Sequence, residues 1–302
     1  MTRTTALQAH GAVVSTPSEI YGEQGGPVAF RLGNGGAGPT GLLKLLSQSF
    51  LDEQAPDSCV PWICNHSRAT QMALFQGHVD VILVYERDQE KLSADEGWAQ
   101  EMGIAFHDHF VVVGPRGNPA RVELGDSPAV AFKKIAESGA PFHSRADGSA
   151  TMVKERHIWS QLNLSPWTTT PSWYTQTTLT PAEALVKADA AGAYLLSDRS
   201  TLLRQTQLGT ISHSTVFYEP TSSSDFLMNS CAALVSDKPS EMALRFVTWL
   251  LADKAQSIIA EYGRVEAGLP FFAAVGAGYA KSTLLGGYPS GGKWRSWPRA
   301  SL

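Results

Sequence analysis

The stretch from Val28 to Phe50 constrains the fold of this chain more than any other part of it. A strand is predicted over Val28–Leu32, and a loop with little side chain follows over Gly33–Pro39. Thr40 is then predicted to cap a helix over Gly41–Phe50, whose apolar residues recur on one face. A strand, a glycine-rich loop and a helix start bring backbone N–H groups to the positive end of a helix, where anions bind. The stretch therefore predicts either an anion site or a tight turn without a ligand.

Composition and charge exclude several classes of protein. The chain has 302 residues, of which 43% are hydrophobic and 17% are charged, as expected of a globular protein with one large domain or two lobes. The net charge of −4 and the lack of a basic run argue against nucleic acid as a partner. No apolar run is long enough to span a membrane, and Met1–Pro27 has no apolar signal core. As it stands, the chain is expected in the cytoplasm, unless a signal has been removed.

Beyond Phe50, predicted strands and helices alternate. Strands are predicted at 59–64 and, as a near-continuous apolar run, at 79–84, with a helix at 70–76 between them. This order is typical of an α/β fold whose sheet is largely parallel. Further strands are predicted at 105–114, 141–144, 193–196, 214–218 and 232–235. Further helices are predicted at 89–102, 127–138, 152–162, 180–191 and 241–262.

The cysteines do not define a disulfide framework, because their number is odd. Cys59 and Cys64 could close a small loop in an oxidising compartment. Reduced thiols explain the same pattern, so both readings stay open.

A metal site has little support. His107 and His109 share one face of a predicted strand, and Asp80 or Glu86 could complete a ligand set. We expect instead a strand with hydrogen-bonded imidazoles, and neither a metal nor another cofactor.

A hydrolytic site also has little support. His143 precedes Ser144, and Asp198 follows Ser197, but no Gly-x-Ser-x-Gly motif is present. We therefore expect a protein without enzymatic activity.

Six blocks in one order, from about Val28 to about Phe272, resemble the tungstate-binding group of periplasmic substrate-binding proteins. They are Thr40-Gly41-Leu42-Leu43, Gly77-His78-Val79-Asp80-Val81, Glu96-Gly97-Trp98, His109-Phe110-Val111-Val112-Val113-Gly114-Pro115, Ser144-Arg145-Ala146-Asp147-Gly148-Ser149-Ala150-Thr151 and Ala193-Tyr194-Leu195-Leu196-Ser197-Asp198-Arg199.

The resemblance implies a two-lobed α/β fold of the type II periplasmic-binding-protein kind, with mixed sheets flanked by helices and a ligand cleft between the lobes. Lobe one would comprise 28–112 and 219–272, and lobe two would comprise 113–218. A flexible N-terminal segment would cover 1–27, and a C-terminal tail would cover 273–302.

The resemblance also implies a function. The protein would bind a small tetrahedral oxyanion of the tungstate or molybdate kind, and closure of the lobes would bury it. It would be a monomer that serves ABC-type uptake through a membrane transporter, in the periplasm or outside the cell, or that serves sensing. A cytosolic ligand sensor and a small-molecule enzyme on the same scaffold are the alternatives left open.

Arg145 is the first candidate for the anion site, because a fixed guanidinium can give an oxyanion two parallel hydrogen bonds. It precedes a predicted helix together with Ser149 and Thr151, although a salt bridge with Asp147 is the alternative. The candidate ligand-binding residues are Asn34, Gly35, Gly36, Ser67, Arg145, Ser149 and Thr151.

One departure from the family pattern concerns the first loop. That loop is usually rich in Thr and Ser, whereas here it is Gly33-Asn34-Gly35-Gly36, so that backbone N–H groups replace hydroxyls. A pocket made mostly of donors favours the fully ionised anions tungstate, molybdate and sulfate over phosphate, which keeps a proton.

Overall fold

The structure, a computed structural model, describes residues 4–9 and 11–296. These residues form mixed sheets with flanking helices, which confirms the predicted α/β class. The strands are β1 (Glu19–Gly22), β2 (Leu32–Asn34), β3 (Cys59–Cys64), β4 (Val81–Val84), β5 (Ala99–Pro115), β6 (Phe142–Ser144), β7 (Tyr174–Gln176), β8 (Leu195–Asp198), β9 (Ser214–Tyr218), β10 (Met228–Ser236), β11 (Tyr288–Ser290) and β12 (Lys293–Arg295). The helices are α1 (Leu42–Gln54), α2 (Ser67–Phe75), α3 (Arg87–Asp95), α4 (Pro128–Ser138), α5 (Ala150–Gln161), α6 (Pro166–Thr169), α7 (Pro181–Ala191), α8 (Arg199–Gln207), α9 (Glu241–Leu250), α10 (Asp253–Glu261) and α11 (Arg264–Ala267).

The described residues divide into two compact units. Unit 1 holds those up to His107 together with Ser230–Ala260, and unit 2 holds Asp108–Asn229 together with those from Glu261 onward. The chain therefore passes from one unit to the other within β5, within β10 and near the end of α10. The lobes implied by the resemblance change at 112, 218 and 272 instead.

The sheet of unit 1 has the order β1-β3-β2-β4-β10, with β5 beside β10. β2 pairs in parallel with β3 and β4, whereas β1 and β10 pair antiparallel with their neighbours. The strand predicted at 59–64 is confirmed, but the one predicted at 28–32 is displaced, because the ladder runs over Leu32–Asn34. Asn34 and the loop after it consequently lie at the carboxyl edge of the parallel strands.

Part of the stretch expected to be flexible, 1–27, is held on unit 1. Glu19–Gly22 forms the strand β1, which pairs antiparallel with β3. Leu7 is an apolar side chain in a polar stretch. It is buried in the same apolar cluster as Ile63 and Leu74, because removing apolar surface from water is favourable. Residues 1–3 and 10 of this stretch lie outside the described residues.

The aromatic core of unit 2 fixes the turn that carries Arg145. Phe142 of β6 lies with its ring centroid 5.2 Å from that of Trp159 of α5, and 5.8 Å from that of Tyr174 of β7. All three side chains are buried. Because β6 and α5 flank the turn from Ser144 to Ala150, packing of this kind holds both of its ends.

The fully buried Arg199 of α8 fastens the segment 261–296 to unit 2. Its Nη1 donates to the carbonyl of Pro270, and its Nη2 donates to the carbonyl of Ser282 at 3.1 Å. Burial lowers the pKa of Arg199 to about 10, and the charges of Glu219 and Asp108 oppose that shift. The guanidinium thus stays charged while it holds two distant loops.

Glu219 holds the same segment through its carboxylate. Its Oε1 accepts hydrogen bonds from the backbone N–H groups of Leu284 and Leu285, at 2.6 and 2.9 Å. The hairpin β11–β12 follows these residues. The part of the expected tail up to 296 is therefore packed on unit 2, and 297–302 lie outside the described residues.

Two long helices predicted from the sequence are wrong. The one at 241–262 is broken into α9 and α10, since Gln256 Nε2 donates to the carbonyl of Leu250 at 2.9 Å and to that of Ala105 at 2.8 Å. The one at 89–102 ends at Asp95, because Gly97 takes a φ of +74° and the chain enters β5.

Cys59 and Cys64 form no disulfide bond. They occupy the two ends of β3, where an extended strand separates their Cα atoms by roughly 16 Å. A disulfide requires Cα atoms less than about 7 Å apart, so β3 excludes this bond. Over the described part of the chain, no helix combines the length and the apolar character needed to cross a membrane.

Candidate functional site

The structure places the candidate residues in two groups, one in each unit. The loop group, in unit 1, consists of Asn34, Gly35, Gly36 and Ser67. The arginine group, in unit 2, consists of Arg145, Ser149 and Thr151.

The loop group lies where three parallel strands end. Gly35 follows β2, Ser67 begins α2 shortly after β3, and Tyr85 follows β4. The Oγ of Ser67 accepts a hydrogen bond from the N–H of Tyr85 at 3.4 Å. The backbone of Gly35 lies against Asn65, because a Cβ atom on Gly35 would meet its carbonyl oxygen at 2.6 Å. Carboxyl edges of parallel strands are where open α/β sheets bind ligands.

The side chain of Asn34 shapes the loop through hydrogen bonds inside the fold. Its side chain is fully buried, and Nδ2 donates to the carbonyl of Leu83 at 2.7 Å. Its Oδ1 accepts from the N–H groups of Ala37 and Gly38, at 3.0 and 3.1 Å. Both ends of its carboxamide are thus engaged inside the fold, and the contact of Asn34 with a ligand stays a prediction.

The start of α1 differs from the prediction that Thr40 caps it. A 3-10 turn covers Gly38–Thr40, and Gly41 is the N-cap, with a φ of +93° that favours glycine. The hydroxyl of Thr40 donates to the carbonyl of Ala37 at 2.6 Å. Gly38 is required for packing, because a Cβ atom there would lie 2.0 Å from the ring of Trp62.

The N–H groups of Gly35 and Gly36 are the donors that the loop offers. Neither forms a hydrogen bond with another described residue. Neither glycine has a positive φ, so backbone conformation does not require them. The two glycines differ in the room that each leaves for a Cβ atom, because only Gly35 is crowded by neighbouring atoms.

This difference predicts unequal effects of two alanine substitutions. Gly35→Ala should lower the free energy of unfolding by about 1–3 kcal/mol, since its Cβ would overlap the carbonyl of Asn65. Gly36→Ala is the matched control, with Tyr85 Cε2 the nearest atom at 4.0 Å, and should change it by less than about 0.5 kcal/mol. Urea unfolding measures both. Equal losses of stability in the two variants would show that the close contact between Gly35 and the carbonyl of Asn65 does not restrict which residue position 35 can hold.

Asp147 draws the arginine group together. Arg145 is 5% exposed, and its Nη2 donates to Asp147 Oδ2 at 2.5 Å, while Nη1 donates to Thr151 Oγ1 at 3.2 Å. Asp147 Oδ1 accepts from the backbone N–H of Ser149 at 3.0 Å and from its hydroxyl at 2.5 Å. The salt bridge that the sequence left as the alternative is therefore present.

The Nε of Arg145 is a donor that remains unused. It is buried and has no hydrogen-bond partner among the described residues. A buried charged donor without an acceptor is costly. The helix α5 begins beside it, with Ser149 as an N-cap whose side chain makes no capping bond and with no acidic residue in its first turn. The Nε of Arg145 and the start of α5 thus both offer donors that no described acceptor uses.

Two further carboxylates belong to this part of unit 2. Burial raises the pKa of Asp198, which precedes α8, and the charge of Arg145 opposes that shift. Burial, together with the charge of Asp198, raises the pKa of Asp108 to about 7. Ser200 donates to Asp108 Oδ2 at 2.6 Å. The surroundings of Arg145 therefore contain carboxylates as well as donors. From the sequence, a carboxylate could be placed near an arginine only when the two residues were close along the chain.

The side chains named for a metal site or a hydrolytic site lie beside other described residues. In the described ranges, no group of three or more His, Cys, Asp or Glu side chains could hold a metal ion. His107 Nδ1 lies 2.7 Å from Ser230 Oγ, and His109 is buried, with its Nε2 3.7 Å from Glu219 Oε2. His143 bonds with Thr177, whereas Ser144 donates to the sulfur of Met152. Ser144 is therefore not activated by its neighbour.

The contact of Tyr85 was missed by sequence reasoning, whereas the part played by Asp147 was left as an alternative. Tyr85 follows the buried run Val81–Val84 directly, and a polar residue in that position of a parallel strand was the available signal. Asp147 stands two residues after Arg145, a spacing that allowed the contact but did not require it.

Residues 22–254 match the PBP superfamily domain. The chain is 30% identical over 242 residues to the tungstate-binding protein TupA of Peptoclostridium acidaminophilum, a match that covers 77% of this chain and 80% of that protein. A solved structure of a periplasmic protein proposed to bind metal is 29% identical, with a TM-score of 0.76 over 85% of this chain and 98% of its own.

A further relative comes from Haloferax volcanii and bears the provisional name of an ABC transporter anion-binding protein. It is 37% identical over 164 residues, which are 54% of this chain and 46% of that protein. The chain thus spans less than half of the length of this relative.

Proposed function

This chain belongs to the PBP superfamily domain family and has the α/β fold of type II periplasmic binding proteins, and from that premise we propose that it binds a small tetrahedral oxyanion of the tungstate or molybdate kind. The observation that carries the proposal is the buried Nε of Arg145, a charged donor without a partner at the start of α5. A relative with 30% identity is named for tungstate binding.

The hydroxyls of two candidate residues support the proposal, because each accepts a hydrogen bond from the protein. Thr151 Oγ1 accepts from Arg145, and Ser67 Oγ accepts from the N–H of Tyr85. A hydroxyl that accepts in this way keeps its proton for a ligand. Ser149 differs, since its hydroxyl proton goes to Asp147. We therefore propose that the hydroxyls of Thr151 and Ser67 donate hydrogen bonds to the anion. The hydroxyl of Ser149 donates to Asp147 instead and helps to hold that carboxylate in place.

We further propose that the bound anion is delivered to an ABC-type transporter, in the periplasm or outside the cell. The provisional name of the Haloferax volcanii relative supports this role. A cytosolic sensor would bind the anion without a transporter, and an enzyme would convert it. Saturable binding of anion without any product, measured with phosphate and sulfate esters as candidate substrates, separates binding from catalysis.

Calorimetric titration of four anions at pH 7 tests the ligand class. Tungstate or molybdate should bind at least about tenfold more tightly than phosphate, and sulfate should be weaker because it is smaller. Asp147 already accepts three hydrogen bonds, so we expect its carboxylate not to accept the proton of phosphate. An unmade buried hydrogen bond costs about 1–3 kcal/mol. The melting temperature should rise with tungstate concentration, since the anion binds the folded protein.

Phosphate as the tightest ligand would overturn this assignment. If Asp198→Asn then removed the preference for phosphate, the carboxylate of Asp198 would be the acceptor that the proposal leaves out.

A further inference from the structure

Asp147, which contacts Arg145 and Ser149 of the arginine group, is a charged residue that anion binding alone does not explain. Its side chain is 4% exposed, and it takes one N–H group of Arg145 that an oxyanion would otherwise use. A buried carboxylate repels an anion that binds beside it. Its presence therefore lowers the attraction that Arg145 exerts on any anion.

The charges of Arg145 and Asp147 cancel within a contact of 2.5 Å. A site with a net positive charge favours a doubly charged anion over a singly charged anion of the same size, because the Coulomb energy scales with the charge of the ligand. A neutral pair removes most of that preference. What remains is a set of directed donors: the Nε of Arg145, the hydroxyl of Thr151 and the first N–H groups of α5.

We propose that Asp147 is a specificity-determining residue, the internal counter-ion of Arg145, which makes the site select tetrahedral oxyanions by size and hydrogen bonding and not by charge. This inference rests on the proposed function. It assigns Asp147 a role other than holding Arg145 in place. Neutralising the charge of Arg145 changes the affinities for singly and doubly charged anions by different factors, whereas positioning Arg145 changes both affinities by the same factor.

Tungstate and perrhenate test the inference, since they are tetrahedral oxyanions of nearly equal size that carry two charges and one charge. The readout is the ratio of the affinity for tungstate to that for perrhenate, measured by calorimetry for each protein. Asp147→Asn should raise this ratio about tenfold or more over the wild type. Arg145→Gln, which leaves Asp147 unpaired, should lower it about tenfold or more. The double variant, without either charge, should return the ratio to the wild-type value although both affinities fall.

Asp126→Asn is the matched control. Asp126 also belongs to unit 2 and pairs with a basic residue, Lys134, at 2.7 Å, but Lys134 is 29% exposed, so that solvent screens the pair. This variant should leave the ratio unchanged. Circular dichroism and melting temperature establish that each variant is folded. If Asp147→Asn does not fold, Arg145→Gln and the double variant carry the test. The inference predicts that the affinity ratio falls from the wild type to Arg145→Gln and rises again from Arg145→Gln to the double variant.

The outcomes separate the inference from the proposed function. A wild-type protein that binds neither anion overturns the proposed function, and the inference with it. A wild type that binds tungstate, with variants that change both affinities by the same factor, overturns the inference alone. In that case Asp147 only positions Arg145.

Discussion

Replacing Arg199 with Met should lower the free energy of unfolding by about 3–5 kcal/mol, the largest stability effect that we expect from a single side chain of unit 2. Methionine keeps the apolar stem but leaves the carbonyls of Pro270 and Ser282 without their donor. It also leaves Glu219 and Asp108 without the buried positive charge that faces them. Urea unfolding measures the loss, and hydrogen exchange should show the segment 261–296 opening first.

Arg204→Met provides the control, because Arg204 lies on the same helix, α8, and donates at the half-buried periphery to Gln207 at 2.6 Å. Its loss should cost less than about 1 kcal/mol. If both variants lost the same stability, or if exchange in 261–296 did not rise in Arg199→Met, the two carbonyls would not explain why Arg199 is buried.

Replacing Arg145 with Ala should reduce the affinity for tungstate by about a hundredfold or more. A charge-assisted hydrogen bond contributes about 1.5–3 kcal/mol, and here its loss also leaves the buried carboxylate of Asp147 without a counter-charge. Arg145→Lys should recover only part of the affinity, since one ammonium cannot reach Thr151, Asp147 and the anion as the planar guanidinium does. Calorimetric titration of folded protein measures both changes.

Arg156→Ala removes the same charge from α5 at an exposed position, where the guanidinium lies over the ring of Trp167. It should bind tungstate within about twofold of the wild type, because solvent screens its charge. An Arg145→Ala protein with wild-type affinity would exclude Arg145 from the site, and an equal loss in Arg156→Ala would indicate that only net charge matters.

Sequence reasoning succeeded where the signal was local. The strand Cys59–Cys64 is a bounded apolar run, and the helix α4 begins with Ser127 as N-cap and Pro128 in its first turn, as predicted for 127–138. The predicted polar turn with Arg145 and Ser149 is also present, although Thr151, predicted to belong to it, lies in the first turn of α5. The grouping of these residues around Asp147 was present in the sequence as an alternative.

It failed where a distant residue decides the local structure. Gly38 looked like part of an anion-binding loop, but the ring of Trp62 on the neighbouring strand is what excludes a side chain there. Asn34 looked like a free donor, whereas the carbonyl of Leu83 takes its amide. The long helix predicted at 241–262 contains no proline or glycine at the break, where Gln256 donates to the carbonyl of Leu250 and to that of the distant Ala105. Such contacts join residues dozens of positions apart, and no window of sequence contains both partners.

The division of the chain between the two units has a consequence for its synthesis on a ribosome. β10 pairs with β4 in the sheet of unit 1, yet it is made about 150 residues later. At typical rates of 5–20 residues per second, the uncharged edge Val81–Val84 waits on the order of ten seconds for its partner. An unpaired apolar strand edge is a site of aggregation. We therefore expect this edge to stay exposed in the nascent chain until Ser230–Ala260 emerges, and slower translation to lengthen the exposure.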